Sequence, residues 1–263
     1  MDQKCILITG AASGIGRETA LLFAEKGWYV GAFDINEAGL KTLEVEIGQS
    51  NCYIGHMDVT DPESVKSGIE AFAQKTGGKL DILVNNAGIL KFGRFEDVDL
   101  ATSHKMVDIN LKGCLSCIYY GLKYLGKTPG ARIINLSSAS AIYGIPELAV
   151  YSATKHALSA MTEALAIELS GHGIRVSDIQ PPYVQTPMLA GSEQVYSIRK
   201  LGVKIQPAHV ARTIWKAAHK NKLHWPMGSA KLLNLLCWLF PFGKKMIVRM
   251  LTMGADGKNR QTI

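Results

Sequence analysis

Apolar positions along this chain alternate between two rhythms. Short, mostly apolar runs occur at Cys5–Thr9, Trp28–Phe33, Cys52–Met57, Asp81–Val84, Arg132–Leu136 and Arg175–Ile179. Runs of this kind, bounded by Gly, Asp or Asn, are what a strand buried on both faces requires. Between them, apolar residues recur at the spacing of a helix with one buried face. These helical patterns run to Ala24, to Ile47, over 62–76, over 99–127, from Tyr151 to Ser170, and over Pro207–His219. In the last of them Val210, Ile214 and Ala217–Ala218 form the apolar face. Strands alternating with helices at this interval predict an α/β fold with a doubly wound, mainly parallel sheet.

Two interruptions carry information. Within 99–127 the pattern meets Asn110-Leu-Lys-Gly113, and both Asn and Gly are unfavourable inside a helix. A kink is expected there, with a freed carbonyl holding a water. Residues 188–206 lack periodicity and are expected to form a mobile lid with a helix.

At 263 residues, 47% hydrophobic and 19% charged, the composition indicates one globular domain with a sizeable core and argues against disorder except over the last ten residues. Residues 1–190 are expected to form the core and 191–228 a substrate loop and helix region of the same domain, with 229–263 a helical extension. The apolar run at Cys5 is too short for a signal peptide, and five cysteines form no disulfide framework, so a cytoplasmic protein is expected. Cys114 and Cys117 make a CxxC without a second pair or a nearby His, which favours packed thiols over zinc. No metal and no nucleic-acid partner are expected. The net charge of +7 is uneven: from Arg199 onward there are 13 Lys and Arg against Asp256 alone, whereas residues 1–198 carry 16 against 21 acids.

The chemistry concentrates at turns that follow strands. After Cys5–Thr9 comes GAASGIG, with Ser13 in the loop and glycines at Gly10, Gly14 and Gly16. A strand, a glycine-rich turn and a helix in succession bring backbone N–H groups to a pyrophosphate. The spacing is GxxxGxG, weak evidence alone. Asp34 ends the second strand, where a carboxylate accepts from an adenosine ribose and repels a 2′-phosphate. Ile35 supplies no compensating cation, so NAD(H) is expected over NADP(H). Arg17 is the one nearby cation, and an outward or structural role is expected for it. Asp58 is placed either to accept from the adenine amino group or to cap the helix before Pro62. The fourth strand runs into Asn85-Asn86-Ala87-Gly88, a turn suited to the cofactor's edge of the sheet. Tyr151 and Lys155, four apart on a helix, share one face, and an ammonium beside a tyrosine favours the phenolate. Ser138 stands ready to hydrogen-bond the same substrate oxygen.

Together, TGAASGIG, Asp58-Val59, NNAG, Asn110, Ser138, the YxxxK at Tyr151–Lys155 and the PxxVxTPM at Pro182–Met188 resemble the short-chain dehydrogenase/reductase family over about residues 4–190. The resemblance implies a Rossmann-like fold and reversible hydride transfer between a nicotinamide and a carbonyl/alcohol pair. It implies Tyr151 as the acid/base, Lys155 as the group that lowers its pKa and binds the nicotinamide ribose, and Ser138 as the group that orients the substrate oxygen. Asn110 matches the residue that positions a water in a proton relay through Lys155, and Thr186 the one that binds the nicotinamide amide. Ile15, Val59, Ala87, Gly88 and Val184 match cofactor positions, and Tyr183 falls beside the substrate. Pro182 replaces the family's usual glycine, so a changed loop is expected there. A homodimer or homotetramer is implied, paired through the helices over 99–127 and 151–170.

In the last stretch, KLLNLLCWLFPFGKKMIVRMLTM over 231–253, the eleven-residue apolar-rich run from Leu232 to Phe242 is too short to span a bilayer and is broken by Pro241 with Gly243. Two short amphipathic helices with Leu, Trp and Phe flanked by cations fit peripheral attachment to a membrane surface. The alternatives are a packed extension or a subunit interface. Either way the substrate is expected to be lipophilic: a retinoid, a steroid, or a long-chain alcohol or acyl derivative. The competing activity is an NADPH-dependent β-ketoacyl thioester reductase, with the basic tail docking an acidic carrier. A non-catalytic nicotinamide-binding regulator is the competing class, expected to have lost some reactive residues.

Overall fold

The computed structural model describes residues 3–192 and 194–252. The expected segment 231–253 therefore ends one residue outside the described residues, as does the rest of the expected extension to 263.

The six expected strands form: β1 Cys5–Thr9, β2 Tyr29–Asp34, β3 Cys52–His56, β4 Ile82–Asn85, β5 Arg132–Leu136 and β6 Arg175–Gln180. A seventh, β7 His224–Pro226, joins them at the edge of a parallel sheet of order β3-β2-β1-β4-β5-β6-β7. Nothing in the apolar pattern announces β7, because its three residues are only half-buried and end in proline.

Both faces are covered, as the continuous apolar runs require. Alternate side chains of a strand point to opposite faces. Ile6 and Ile8 pack with Phe23 of α1 (Gly14–Glu25), Leu40 and Leu43 of α2 (Glu37–Ile47), and Val210 and Ile214 of α8 (Pro207–Ala217). Cys5 and Leu7 pack on the other side with Phe72 of α3 (Pro62–Lys75), Ile118 of α5 (Cys114–Leu125) and Leu158 of α6 (Ala149–Glu168). Cys114 and Cys117 are free, buried thiols on this second face.

The interrupted helix resolves into α4 (Leu100–Val107), a π-helical turn at Asp108–Gly113, and α5. Gly113 belongs there because a Cβ would lie 2.8 Å from the Val59 side chain, so the wider turn and a bare backbone let the helix approach the end of β3. Residues 188–206 contain α7 (Tyr196–Leu201), and Val184 bridges to Ile205. The C-terminal stretch forms α9 (Ser229–Leu239) and α10 (Lys244–Thr252). Leu233, Cys237 and Val248 bury one face of this pair against Ile142, Tyr143 and Ile145. No described helix is long and apolar enough to cross a membrane.

Candidate active site

Strand order reverses between β1 and β4, where β1 has β2 on one side and β4 on the other. Loops leaving the C-terminal ends of such strands part there and open a crevice. A cavity of about 380 Å³ occupies it, running from Asp34 and Asp58 past Gly10 and Asn86 to Ser138, Tyr151 and Thr186.

Its floor is the glycine turn. Gly16 lies so close to Gly10 that a Cβ would stand 2.2 Å from the Gly10 carbonyl oxygen and 2.6 Å from Asn86 Nδ2. The Asn86 amide donates to the carbonyls of Thr9 (2.9 Å) and Gly10 (3.0 Å), while Thr9 Oγ1 accepts from the N–H groups of Asn86 and Ala87. The NNAG turn is thus stitched to the turn that opens α1, which directs its N-terminus into the crevice. Gly10, Ser13, Gly14 and Ile15 line this part, with Asn86, Ala87 and Gly88 opposite.

Asp34 is half-buried at the end of β2. Its Oδ2 accepts from Ala12 N (3.0 Å) and its Oδ1 from Asn36 N (2.9 Å), which holds the carboxylate at the crevice wall. Ile35 beside it is exposed, and Arg17 turns away to pair with Glu46 at 2.5 Å. Asp58 Oδ1 accepts from the N–H and hydroxyl of Thr60, and these bonds hold its carboxyl below the usual range. The cap before Pro62 is Asp61, not Asp58. Asp58 and Val59 both line the crevice.

At the other end, Tyr151 and Lys155 share one face of α6, the ammonium 5.6 Å from the phenol ring centroid. Lys155 Nζ donates to the Leu136 carbonyl at 2.6 Å. Burial lowers Lys155 to about 8. Tyr151 does not follow the expectation of a lysine-depressed phenol: burial pushes it up to about 12, and only the hydrogen bond with Ser138 acts the other way. The physical reason is that desolvation of the phenolate outweighs an ammonium already turned to a backbone carbonyl. Ser138 stands two residues beyond β5, at the start of a 3₁₀ turn where its Oγ accepts from Ser140 N (3.2 Å).

Asn110 sits in the π-helical turn and lines no part of the cavity. Its Oδ1 accepts from Ile89 N (2.8 Å), its Nδ2 donates to Ile89 O (3.0 Å), and Thr154 Oγ1 lies 3.3 Å away. It therefore braces the strand-to-loop exit behind Ala87–Gly88. Thr186 and Val184 line the cavity with Pro181 and Pro182, and the Pro181 carbonyl accepts from Ala139 N, which ties this loop to the Ser138 turn. Tyr183 lines the cavity as well, its hydroxyl 2.6 Å from Ser197 Oγ and its ring 6.2 Å from Phe92.

Sequence reasoning missed most of the substrate end. Ile145, Leu148, Met188, Leu201, Leu233 and Val248 come from five separate segments and meet only in the fold. Ser140 also lines the cavity, its buried hydroxyl without a hydrogen-bond partner among the described residues. Its place two residues past Ser138 was the one available signal. Among the described residues, no group of three His, Cys, Asp or Glu is arranged for a metal.

A glycine cradle at a helix N-terminus, a carboxylate at the end of β2 and a Tyr–Lys–Ser cluster lining the cavity define a nicotinamide-dependent oxidoreductase acting on CH–OH groups. The chain belongs to the short chain dehydrogenase family, whose model matches residues 4–196. It is 33% identical over 219 residues to the cyclohexanol dehydrogenase of Acinetobacter sp. (strain SE19), a match covering 81% of this chain and 86% of that one. Among solved structures it is similar to 3-ketoacyl-(acyl-carrier-protein) reductase from Brucella melitensis complexed with NADH, with a TM-score of 0.77, 31% identity and coverage of 84% and 95%. ElxO with NADP bound is similar to the same degree: TM-score 0.77, 29% identity, coverage 85% and 96%.

Proposed function

We propose that this chain is an NAD(H)-dependent dehydrogenase interconverting a lipophilic alcohol and its carbonyl, and the observation that carries this is the apolar substrate end of the cavity, roofed by α9 and α10. Leu233 and Val248 from the roof line the cavity with Ile145, Leu148, Met188 and Leu201, and the hydroxyls among them are those of Ser138, Ser140, Tyr151 and Ser229, with Tyr183 and Thr252 already engaged by Ser197 and the Val248 carbonyl. A wall of this kind favours a hydrocarbon body with one oxygen. A small polyol would leave its hydroxyls unpaired there.

The glycine turn from Gly10 to Gly16 fits a pyrophosphate, since its backbone is bare where a Cβ has no room. Asp34 would hold the adenosine ribose, Asp58 and Val59 the adenine, Thr186 and Val184 the nicotinamide amide, and Lys155 the nicotinamide ribose. NAD is favoured because Asp34 meets no cation: Ile35 is apolar and Arg17 is engaged by Glu46. When bound, the cofactor exchanges a hydride with the substrate carbon.

The chain's own part is proton transfer and alignment. Ser138 holds the substrate oxygen within reach of the Tyr151 hydroxyl. In the reducing direction the Tyr151 O–H bond breaks and its proton goes to that oxygen. In the oxidising direction the phenolate takes the proton back. Lys155 supplies positive charge one helical turn away, and Asn110 fixes the backbone at Ile89 that backs the site.

The test is turnover of primary and secondary alcohols of increasing chain length with NAD and with NADP, for the native chain and for Asp34→Ala. Turnover that rises with chain length on NAD is expected, and the substitution should move the NADP/NAD preference by about ten-fold or more, or ~1.4 kcal/mol. Preference for NADPH and ketoacyl thioesters would instead assign the reductase activity, with the basic C-terminal region docking the carrier. Unchanged preference in Asp34→Ala would remove the ribose assignment.

A further inference from the structure

The helices that roof the cavity have a second face. On α9, Ala230, Leu233 and Cys237 are buried, while Leu232, Leu235, Trp238 and Leu239 are exposed on the side away from the cavity. The turn into α10 carries Phe240 and Phe242, the latter fully exposed. On α10, Val248 and Thr252 face inward, and Met246 and Met250 continue the exposed apolar row. Trp238 retains 76% of its surface. Monomeric proteins rarely leave so many large apolar side chains together in water, and such patches mark surfaces that meet something else.

Charge identifies what it meets. Residues 229–252 contain Lys231, Lys244, Lys245 and Arg249 and no acidic residue. Among the described residues none of these four cations pairs with a carboxylate. A second copy docking through the same patch would bring four unpaired cations against four, with no acid to offset them. An anionic lipid surface offers what both kinds of residue lack: headgroup charge for the cations, and an acyl boundary for Trp238, Phe240 and Phe242.

We propose that α9, α10 and the Phe240–Phe242 turn dock this enzyme onto an anionic lipid bilayer, with the roof of the substrate cavity lying against the membrane. Because Leu233 and Val248 line the cavity from the same helices whose outer faces enter the lipid, docking brings the substrate end to the phase in which a lipophilic alcohol is dissolved. The delivery part rests on the substrate class proposed above, whereas the docking part stands on the surface alone.

The experiment is sedimentation of the full chain with phosphatidylcholine vesicles and with vesicles containing phosphatidylglycerol. Trp238 emission is followed in parallel, with Trp238→Phe as its control. Binding to the anionic vesicles with a blue shift that Trp238→Phe abolishes is expected, weakened by salt and by about five-fold for each cation replaced by Gln. A Phe242→Ser variant should lose vesicle binding yet keep its turnover of short, water-soluble alcohols, since Phe242 lies outside the cavity. No binding to anionic vesicles by folded enzyme overturns the proposal. So does a larger particle in light scattering that Phe242→Ser reduces while vesicles go unbound, because the patch is then a subunit interface. Vesicle binding without turnover of long-chain alcohols supports docking and counts against the substrate class alone.

Discussion

Lys155 is buried and Tyr151 half-buried beside it, and desolvation moves them in opposite directions: the phenol up to about 12, the ammonium down to about 8. At neutral pH the pair is therefore a protonated tyrosine beside a charged lysine, ready to donate rather than accept. Carbonyl reduction should be nearly flat between pH ~6 and ~7 and decline as Lys155 loses its charge near 8, whereas alcohol oxidation, which needs the phenolate, should rise with pH from ~6. Rate profiles in the two directions check this, and an oxidation profile already at its plateau below neutrality would contradict it. Tyr151→Phe should lower turnover by about 10²–10⁴-fold in both directions, with the fold intact by circular dichroism. Full activity in that variant would remove the proposed acid/base. Ser138 and the YxxxK pair were legible in the sequence because their chemistry is local to a strand end and one helical turn. The direction of the Tyr151 shift was not, because desolvation depends on what the rest of the chain brings around the ring.

At the scale of elements, Asn110 ties the π-helical turn to the loop that leaves β4. Its side chain satisfies both the N–H and the carbonyl of Ile89 from a π-helical turn. Asn110→Ala should leave both groups unpaired and destabilise the fold by about 2 kcal/mol, with activity falling as the Ala87–Ile89 segment loses its brace. Thermal unfolding and turnover measured on the same preparation check the two effects. The interruption was legible as Asn and Gly inside a helix. The partner, twenty-one residues earlier in the chain, was not.

The first six strands read clearly because apolar residues run through each of them. β7 did not, because its evidence is a set of long-range contacts. His224 Nδ1 meets Asp178 Oδ1 at 3.0 Å and Nε2 meets Glu163 at 3.4 Å, joining β7 to β6 and α6. The hydrogen bond with buried Asp178 raises the His224 pKa, burial opposes it, and the charges of Asp178 and Glu163 add to the rise. A raised folded-state value means this stabilisation is complete below the ordinary value of 6.5 and is lost as pH rises through the higher folded one. The melting temperature should fall over that window, and His224→Gln should flatten the dependence. A wild-type profile as flat as the variant's would show that the contact is too exposed to matter.

Across the whole molecule, apolar surface remains outside α9 and α10. Leu115 and Tyr119 on α5 and Ile167 on α6 are exposed on helices that cover the face of the sheet remote from α1 and α8. A symmetric pairing through these helices is expected, and Tyr119→Asp should shift the mass measured by light scattering toward the monomer. A wild-type monomer at micromolar concentration would rule that pairing out. The sheet itself is closed to growth on one side. A parallel sheet ends in a row of backbone groups able to template another strand, and here the last strand is three residues long and finishes in Pro226, which has no N–H to offer. An unfolded neighbour that approaches this edge finds too little ladder to copy, which protects an apolar-rich chain against β-aggregation.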